Sequence, residues 1–258
     1  MSYLDALVLG VIQGLTEFLP VSSSGHLVLT EELLGVKQPG VTFEVILHVG
    51  TLLSVLIYFR STILRLVRSL FAGGERADRM MLMFLVIGTI PAVVVGLLFK
   101  ETFEALFSEP LMTSCFLILT GLILRLPRYV RRSEHPMSAG SAVVMGIGQA
   151  LAILPGVSRS GSTIALGMVW GVKPSQAAEF SFLLAVPAIL GAAVFNLREL
   201  TRITSDLAGP YVLGMFVSFL FGIVAVYLVL STIKRGKFEY FAYYCFAAGL
   251  IGLYLFSR

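Results

Sequence analysis

Charged residues are scarce in this chain of 258 residues, of which only 13% are Asp, Glu, Lys or Arg. Soluble domains carry about 25% charged residues. The deficit excludes a soluble globular enzyme, a disordered chain and a nucleic-acid-binding protein of the basic-patch kind. Apolar residues dominate instead: 57% of the residues are hydrophobic and the mean hydropathy is +0.91. Because long apolar runs recur along the chain, we predict a polytopic membrane protein.

Cysteine and N-terminal basic residues are also in short supply. The two cysteines, Cys115 and Cys245, each lie inside an apolar run without a partner motif. We therefore expect small core residues, and neither a disulfide nor a metal pair. The first basic residue is Lys37, and Asp5 stands where a signal peptide would be positively charged, so we expect no cleavable signal.

Six apolar segments meet or approach the ~20 residues that a helix needs to cross a hydrocarbon core of ~30 Å. We predict that each is a transmembrane helix, although the third is shorter than the others. The six segments are Val41–Phe59, Met80–Phe99, Pro110–Leu124, Phe180–Leu197, Tyr211–Ile233 and Tyr240–Phe256.

Two further regions consist of paired apolar arms that are too short to cross. Each pair is joined by a break rich in Pro, Ser and Gly, which cannot continue a helix. Irregular backbone at membrane depth is tolerated only where it is buried in protein or lines a cavity. We therefore predict two re-entrant helical hairpins. Their arms are Leu4–Phe18 with a stretch ending near Leu34, and Gly140–Leu154 with a stretch ending near Val172.

The two hairpins share seven residues at a constant spacing of 136. Gly10, Gln13, Leu15, Val21, Ser22, Ser24 and Gly25 recur as Gly146, Gln149, Leu151, Val157, Ser158, Ser160 and Gly161. The chain thus contains a hairpin plus three spans, twice, and because three is odd the second copy enters from the opposite face. We predict an all-α polytopic membrane protein with an inverted-topology repeat: one integral-membrane domain over 1–258, with repeats at about 1–126 and 138–258.

Basic residues divide unevenly between the two faces of this arrangement. Thirteen fall on one face: Arg60, Arg65, Arg68, Arg76, Arg79, Arg125, Arg128, Arg131, Arg132, Lys173, Lys234, Arg235 and Lys237. Five fall on the other: Lys37, Lys100, Arg198, Arg202 and Arg258. Since cytoplasmic loops carry the excess of Lys and Arg, we expect both termini and the mouth of the first hairpin to lie outside the cytoplasm.

Ionisable residues inside apolar segments are candidate functional residues, because burying them is costly. They are Glu17, His26, Glu44, His48, Arg159 and Glu179. A Gly/Ser turn leading into a helix exposes unpaired N–H groups that attract anions, and we expect the two hairpin tips to meet. Arg159 would add a two-pronged phosphate partner, and Glu17 and Gln13 would add oxygen ligands for a divalent cation. A hydroxyl near a histidine would supply a nucleophile and its base. These parts suit phosphoryl transfer.

Other interpretations remain open on the residues alone. Ser-rich turns could serve only the backbone, and Arg159 with Glu17 could be a structural ion pair. Glu44, His48 and Glu179 could be packing residues, and the spacing does not choose among the three serines of the first tip. A transporter or flippase of an anionic lipid is the alternative function, because inverted repeats with broken helices are common in transporters.

Two segments, QGLTEFLPVSSSGH at 13–26 and PGVSRSGST at 155–163, resemble the signature motifs of the bacterial undecaprenyl-diphosphatase family, also called bacitracin-resistance proteins. Glu179–Pro187 resembles a further family segment, so the resemblance spans nearly the whole chain. It implies hydrolysis of undecaprenyl diphosphate to undecaprenyl phosphate at the outer leaflet of the bacterial cytoplasmic membrane, which recycles the carrier for peptidoglycan synthesis and gives bacitracin resistance. One departure is Gln13, where many members carry Glu.

The resemblance also implies roles for individual residues. Ser23 would be the nucleophile, His26 or Glu17 would relay protons, and Arg159 would stabilise the transferred charge. The divalent cation, Mg²⁺ or Ca²⁺, would be held by Glu17 and Gln13. Substrate-binding residues would be Ser22, Ser24, Gly25, Ser158, Ser160, Ser162 and Thr163. The expected partners are a polyprenyl diphosphate lipid and membrane lipids, without nucleic acid, and a homodimer is left open.

Overall fold

The computed structural model describes residues 1–36, 42–71, 74–99, 106, 109–130, 134–196 and 205–257, and regular structure in these ranges is helical. The helices of the first half are α1 (Tyr3–Phe18), α2 (Ser23–Leu34), α3 (Thr42–Tyr58), α4 (Arg60–Arg68), α5 (Arg76–Leu98) and α6 (Pro110–Arg125). A 3₁₀ turn at Leu126–Tyr129 follows α6. The second half contains α7 (Ala139–Leu151), α8 (Arg159–Val169), α9 (Pro174–Phe195), α10 (Ser205–Lys234) and α11 (Tyr240–Phe256).

Four helices are long and apolar enough to cross a membrane: α5, α6 with its 3₁₀ turn, α9 and α10. The pair α3 and α4, bent by 78°, would make a fifth span. The all-helical, polytopic membrane class is therefore confirmed. The sixth predicted span coincides with α11, but its 17 residues reach only ~26 Å at ~1.5 Å per residue, so the count of six stays a prediction.

Helix α4 was not anticipated from the sequence. The chain turns sharply after Tyr58, and the short helix that follows buries Leu66 while its arginines stay exposed. Arg65 donates a hydrogen bond of 2.9 Å from Nε to Asp78 Oδ1, which ties α4 to the first turn of α5. An amphipathic helix with a basic face is typical of a membrane–water interface, and the alternation of arginine with Ile63 and Leu66 was the available signal.

The predicted hairpin arms coincide with helix pairs α1–α2 and α7–α8, and the two tips share the same pattern of serine capping. Ser22 caps α2 by accepting a bond of 3.2 Å from the Gly25 N–H, and Ser158 caps α8 by accepting one of 3.0 Å from Gly161. In both tips a second serine lies 3.3 Å from the capping hydroxyl. Serine capping of this kind satisfies a donor of the first helical turn, so the spacing of 136 residues corresponds to a repeated local structure.

The two tips touch each other through glycine. A Cβ on Gly25 would lie only 2.9 Å from the Cα of Gly156, and Gly156 itself has φ +99°, which side chains disfavour. Ser160 Oγ donates a bond of 3.1 Å to the Leu19 carbonyl across the junction. Thr120 of α6 also contacts the second tip: its Oγ1 donates a hydrogen bond of 2.8 Å to the Gly156 carbonyl.

Each hairpin also packs against a helix of the other half. A Cβ on Gly10 of α1 would lie 2.8 Å from the Gly214 carbonyl oxygen of α10, and one on Gly146 of α7 would lie 2.5 Å from the Gly88 oxygen of α5. Small residues allow membrane helices to approach this closely. The two halves are therefore interlocked, and their contacts carry the two tips to a common place.

One of the two cysteine predictions is wrong. Cys245 is buried, with its Sγ 3.6 Å from the Pro20 carbonyl oxygen, but Cys115 is exposed on α6. In a membrane protein the outer surface is as apolar as the core, because it faces lipid. An apolar run therefore does not distinguish a core position from a lipid-facing one.

Candidate active site

A cavity of about 290 Å³ lies where the two tips meet. Helices α1, α2, α3, α8 and α9 and the break after α7 contribute its walls. The lining residues are Glu17, Ser22, Ser23, Ser24, Glu44, Val45, His48, Ala152, Ile153, Val157, Ser158, Arg159, Ala188, Ile189 and Ala192. The polar residues come from the two tips and from α3, and the remaining wall is apolar.

The carboxylate of Glu17 is the centre of the site. Arg159 Nη2 donates to Oε1, while Oε2 accepts the Ser23 hydroxyl at 2.6 Å and the Gln13 amide Nε2 at 2.9 Å. The Glu17 side chain is only 5% exposed and that of Arg159 only 16%. A buried carboxylate is stable only when it is paired and hydrogen-bonded, and here both requirements are met by residues from both hairpins.

One hydrogen-bond donor of Arg159 is not used by the other described residues. Its Nη1 atom is buried and has no hydrogen-bond partner among the described residues. The residue opens α8, so the N–H groups of that first helical turn lie close to it. Arg159 itself lines the cavity, and a guanidinium beside a cavity can bind an anion, since phosphate oxygens match its geometry.

Ser23 is positioned for proton transfer. Its hydroxyl donates to Glu17 at 2.6 Å, which is the distance expected of a hydroxyl paired with a carboxylate base. The neighbouring Ser22 has φ +70°, the only positive φ of a non-glycine residue in the described ranges. Backbone strain of this kind is found where a side chain must be aimed at a site.

The structure does not bring His26 to Ser23. The His26 Nδ1 lies 2.7 Å from the Ser22 carbonyl, which can only accept, so Nδ1 carries the proton. Its Nε2 then accepts from the Tyr244 hydroxyl at 2.8 Å, and the two rings are stacked at an interplanar angle of 12°. His26 therefore faces α11 and does not line the cavity, and Tyr244 is a partner that the sequence did not reveal.

His48, not His26, is the histidine that lies beside the Glu17 carboxylate. Its Nε2 lies 3.4 Å from Glu17 Oε2, and its Nδ1 donates to the Glu44 carbonyl at 2.7 Å. The interpretation of His48 and Glu44 as packing residues alone is thus not supported, since both line the cavity. Glu179 is half-buried and lies outside the cavity.

The predicted substrate-binding residues divide into two groups. Ser22, Ser24 and Ser158 line the cavity. Gly25, Ser160, Ser162 and Thr163 are buried and do not line it. Thr163 Oγ1 is 2.5 Å from Ser181 Oγ of α9, while Ser162 Oγ is buried without a partner among the described residues.

The donors present fit a divalent cation only in part. The described residues contain no group of three or more His, Cys, Asp or Glu side chains placed to hold a metal ion. Two carboxylates, Glu17 and Glu44, nevertheless line one cavity, and Mg²⁺ is commonly held by one or two carboxylates together with substrate phosphates. Gln13 lies outside the cavity lining; its amide Nε2 donates to Glu17, and its Oε1 is buried without a partner among the described residues.

Comparison with known proteins points to a single family. The family model described as "Bacitracin resistance protein BacA" matches residues 6–251. A protein named undecaprenyl-diphosphatase from Salinibacter ruber is 40% identical over 269 residues, covering 99% of this chain and 100% of its own length. The undecaprenyl-diphosphatase of Syntrophotalea carbinolica is 41% identical, covering 96% of this chain and 97% of its own length. That of Desulforudis audaxviator is 42% identical, covering 97% of this chain and 96% of its own length.

The pairing of Glu17 with Arg159 predicts how substitutions at these two residues change the free energy of unfolding. Glu17→Gln or Arg159→Gln alone leaves an uncompensated charge at the tip junction, so each should lower the free energy of unfolding by about 3 kcal/mol. The double variant should lose less than the sum of the two, because no unpaired charge remains. Thermal unfolding of the four proteins in detergent measures this. Strictly additive effects would show that the two side chains do not stabilise each other.

Proposed function

The chain belongs to the bacitracin resistance protein BacA family, and we propose that it hydrolyses undecaprenyl diphosphate to undecaprenyl phosphate and inorganic phosphate. One observation carries this assignment: a serine hydroxyl lies 2.6 Å from a buried carboxylate in a cavity that Arg159 also lines. A carrier of anionic lipids would need the arginine but no hydroxyl aligned on a base. The enzyme is thus a membrane-embedded phosphatase that recycles the lipid carrier of peptidoglycan synthesis.

The reaction begins with the diphosphate in the cavity, its terminal phosphate on Arg159. The Ser23 oxygen attacks the terminal phosphorus while its proton passes to Glu17. The bond from phosphorus to the bridging oxygen breaks, and undecaprenyl phosphate leaves with that oxygen. Glu17 passes its proton to the leaving undecaprenyl phosphate and is a carboxylate again. Water then attacks the phosphoserine while Glu17 takes one of its protons, and that proton returns to the Ser23 oxygen as the phosphorus–serine bond breaks and phosphate is released. Arg159 stabilises the charge that is spread over the transferred phosphoryl oxygens in both steps.

Within this proposal, Glu17 and Glu44 are the residues that would hold the divalent cation, Mg²⁺ or Ca²⁺, whose charge would offset that of the diphosphate. His48 keeps the Glu17 carboxylate in place beside Ser23. Gln13 has the same supporting role from one helical turn away, because its amide donates to Glu17. His26 stabilises the start of α2 by its bond to the Ser22 carbonyl.

The proposed topology has six spans, two re-entrant hairpins and an inverted repeat, in the bacterial cytoplasmic membrane with both termini outside. It is supported by the matching tips and by ion pairs that join helix ends on the predicted cytoplasmic face. Those pairs are Arg65–Asp78, Arg128–Glu239 and Lys173–Glu134. The five basic residues assigned to the outer face, and Arg131 and Arg132 of the inner one, lie outside the described residues.

The direct test of the activity is phosphate release from undecaprenyl diphosphate by the purified protein, with and without a chelator. We expect turnover that the chelator suppresses. Ser23→Ala should lose on the order of 10³-fold or more in kcat, as expected for a missing nucleophile. Ser24→Ala, which removes a cavity hydroxyl that does not contact Glu17, should lose much less. Equal, small losses in both variants would exclude Ser23 as the nucleophile.

The topology predicts which side of the membrane reaches the cavity. In a variant with Cys115 and Cys245 replaced by serine, Ser24→Cys should react with a membrane-impermeant maleimide added outside intact cells. Added undecaprenyl phosphate should protect it, because the product occupies the cavity. Labelling that occurs only from the cytoplasmic side of inverted vesicles would overturn the topology and the assignment to the outer leaflet.

A further inference from the structure

A second cavity, an apolar groove of about 650 Å³, lies between α4, α5 and α9. Leu66, Val86, Ile90, Val93 and Leu190 are among its lining residues. Thr89 is the one hydroxyl in the lining, and it donates to the Leu85 carbonyl at 2.7 Å. The groove therefore presents no free polar group to a ligand. Val86 is 64% exposed and Leu190 is 47% exposed, so the groove opens to the lipid.

The groove and the active-site cavity share helix α9. Val186 and Leu190 line the groove, while Ala188, Ile189 and Ala192 line the cavity. These residues alternate along about two turns of one helix. At 3.6 residues per turn the two sets lie on different sides of α9. A chain that leaves the cavity therefore reaches the groove by passing around this helix, whose side chains from 186 to 192 are uncharged.

Helix α5 makes the second connection between the two cavities. A Cβ on Gly96 of α5 would lie 3.6 Å from Ile153 Cδ1, and Ile153 lines the active-site cavity. One turn before Gly96 on the same helix, Val93 lines the groove. Gly191 of α9 has open space around the position of a Cβ. The crevice between α5 and α9 thus leads from the cavity rim into the groove.

We propose that this groove binds the polyprenyl tail of the substrate whose diphosphate occupies the active-site cavity, an inference that rests on the proposed function. The diphosphate on Arg159 fixes one end of the lipid, and the tail must leave through an apolar opening. The cavity wall formed by Ala188, Ile189 and Ala192 is apolar, and it adjoins a groove with room for several isoprene units. The groove makes the enzyme selective for long polyprenyl tails.

A tryptophan placed in the part of the groove that lies far from the active-site cavity tests this assignment. Val86 lies ten residues before Gly96, roughly 15 Å along α5, so a short tail does not reach it. Val86→Trp should raise the KM for undecaprenyl diphosphate about tenfold, the effect of losing the burial of roughly two methylene groups. The kcat should not change, and the KM for farnesyl diphosphate should stay at the wild-type value.

The matched control is Val212→Trp. Val212 is 60% exposed on α10 and lines neither cavity, whereas Val86 is 64% exposed. The control should behave as wild type with both substrates. Equal KM changes for the long and the short substrate, or no change for either, would overturn the groove assignment and leave an ordinary membrane lipid as its occupant. A wild-type protein that released phosphate from neither substrate would instead overturn the proposed function.

Discussion

The Glu17 carboxylate is the interaction on which the rest of this structure depends. A charge buried at membrane depth must be neutralised and hydrogen-bonded, and its partners here come from four helices: Gln13 on α1, Ser23 on α2, His48 on α3 and Arg159 on α8. Satisfying this one carboxylate brings the two hairpin tips together. The same contacts align a hydroxyl with a base and leave an arginine nitrogen free, so the chemistry follows from the requirement that stabilises the junction.

The two tips share a serine-capping pattern but differ in chemistry, and also in backbone at the capping serine, where Ser22 has φ +70° and Ser158 has φ −73°. At the spacing of 136 residues, Ser23 corresponds to Arg159 and Glu17 corresponds to Ile153. The capping serines and their hydrogen bonds are preserved in both copies. In the proposed mechanism one tip supplies the nucleophile and its base, and the other supplies the anion-binding group. Because neither hairpin holds a complete set, the site exists only where the interlocked halves meet.

The sequence predicted the elements that follow from the pattern of apolar segments and from the free-energy cost of burying charged residues in them. Both hairpins and the proximity of Glu17 to Arg159 could be inferred, because charged residues in apolar segments must find each other. The exposure of Cys115 could not be inferred, since lipid and core are equally apolar. The bend before α4 was not predicted, although arginines alternating with Ile63 and Leu66 were a signal for that helix. The choice between His26 and His48 also depended on tertiary contacts. The first turn of α2 directs His26 towards Tyr244, and only the packing of α3 on α1 brings His48 to Glu17.

The central claim is that Ser23, activated by Glu17, attacks phosphorus and forms a covalent intermediate. The most direct measurement is the stereochemical course at the terminal phosphorus, using undecaprenyl diphosphate made chiral there with sulfur and oxygen isotopes. Each in-line displacement inverts the configuration. Attack by Ser23 followed by attack of water therefore predicts net retention in the released thiophosphate. Net inversion would mean that water attacks the substrate directly, and it would contradict the account.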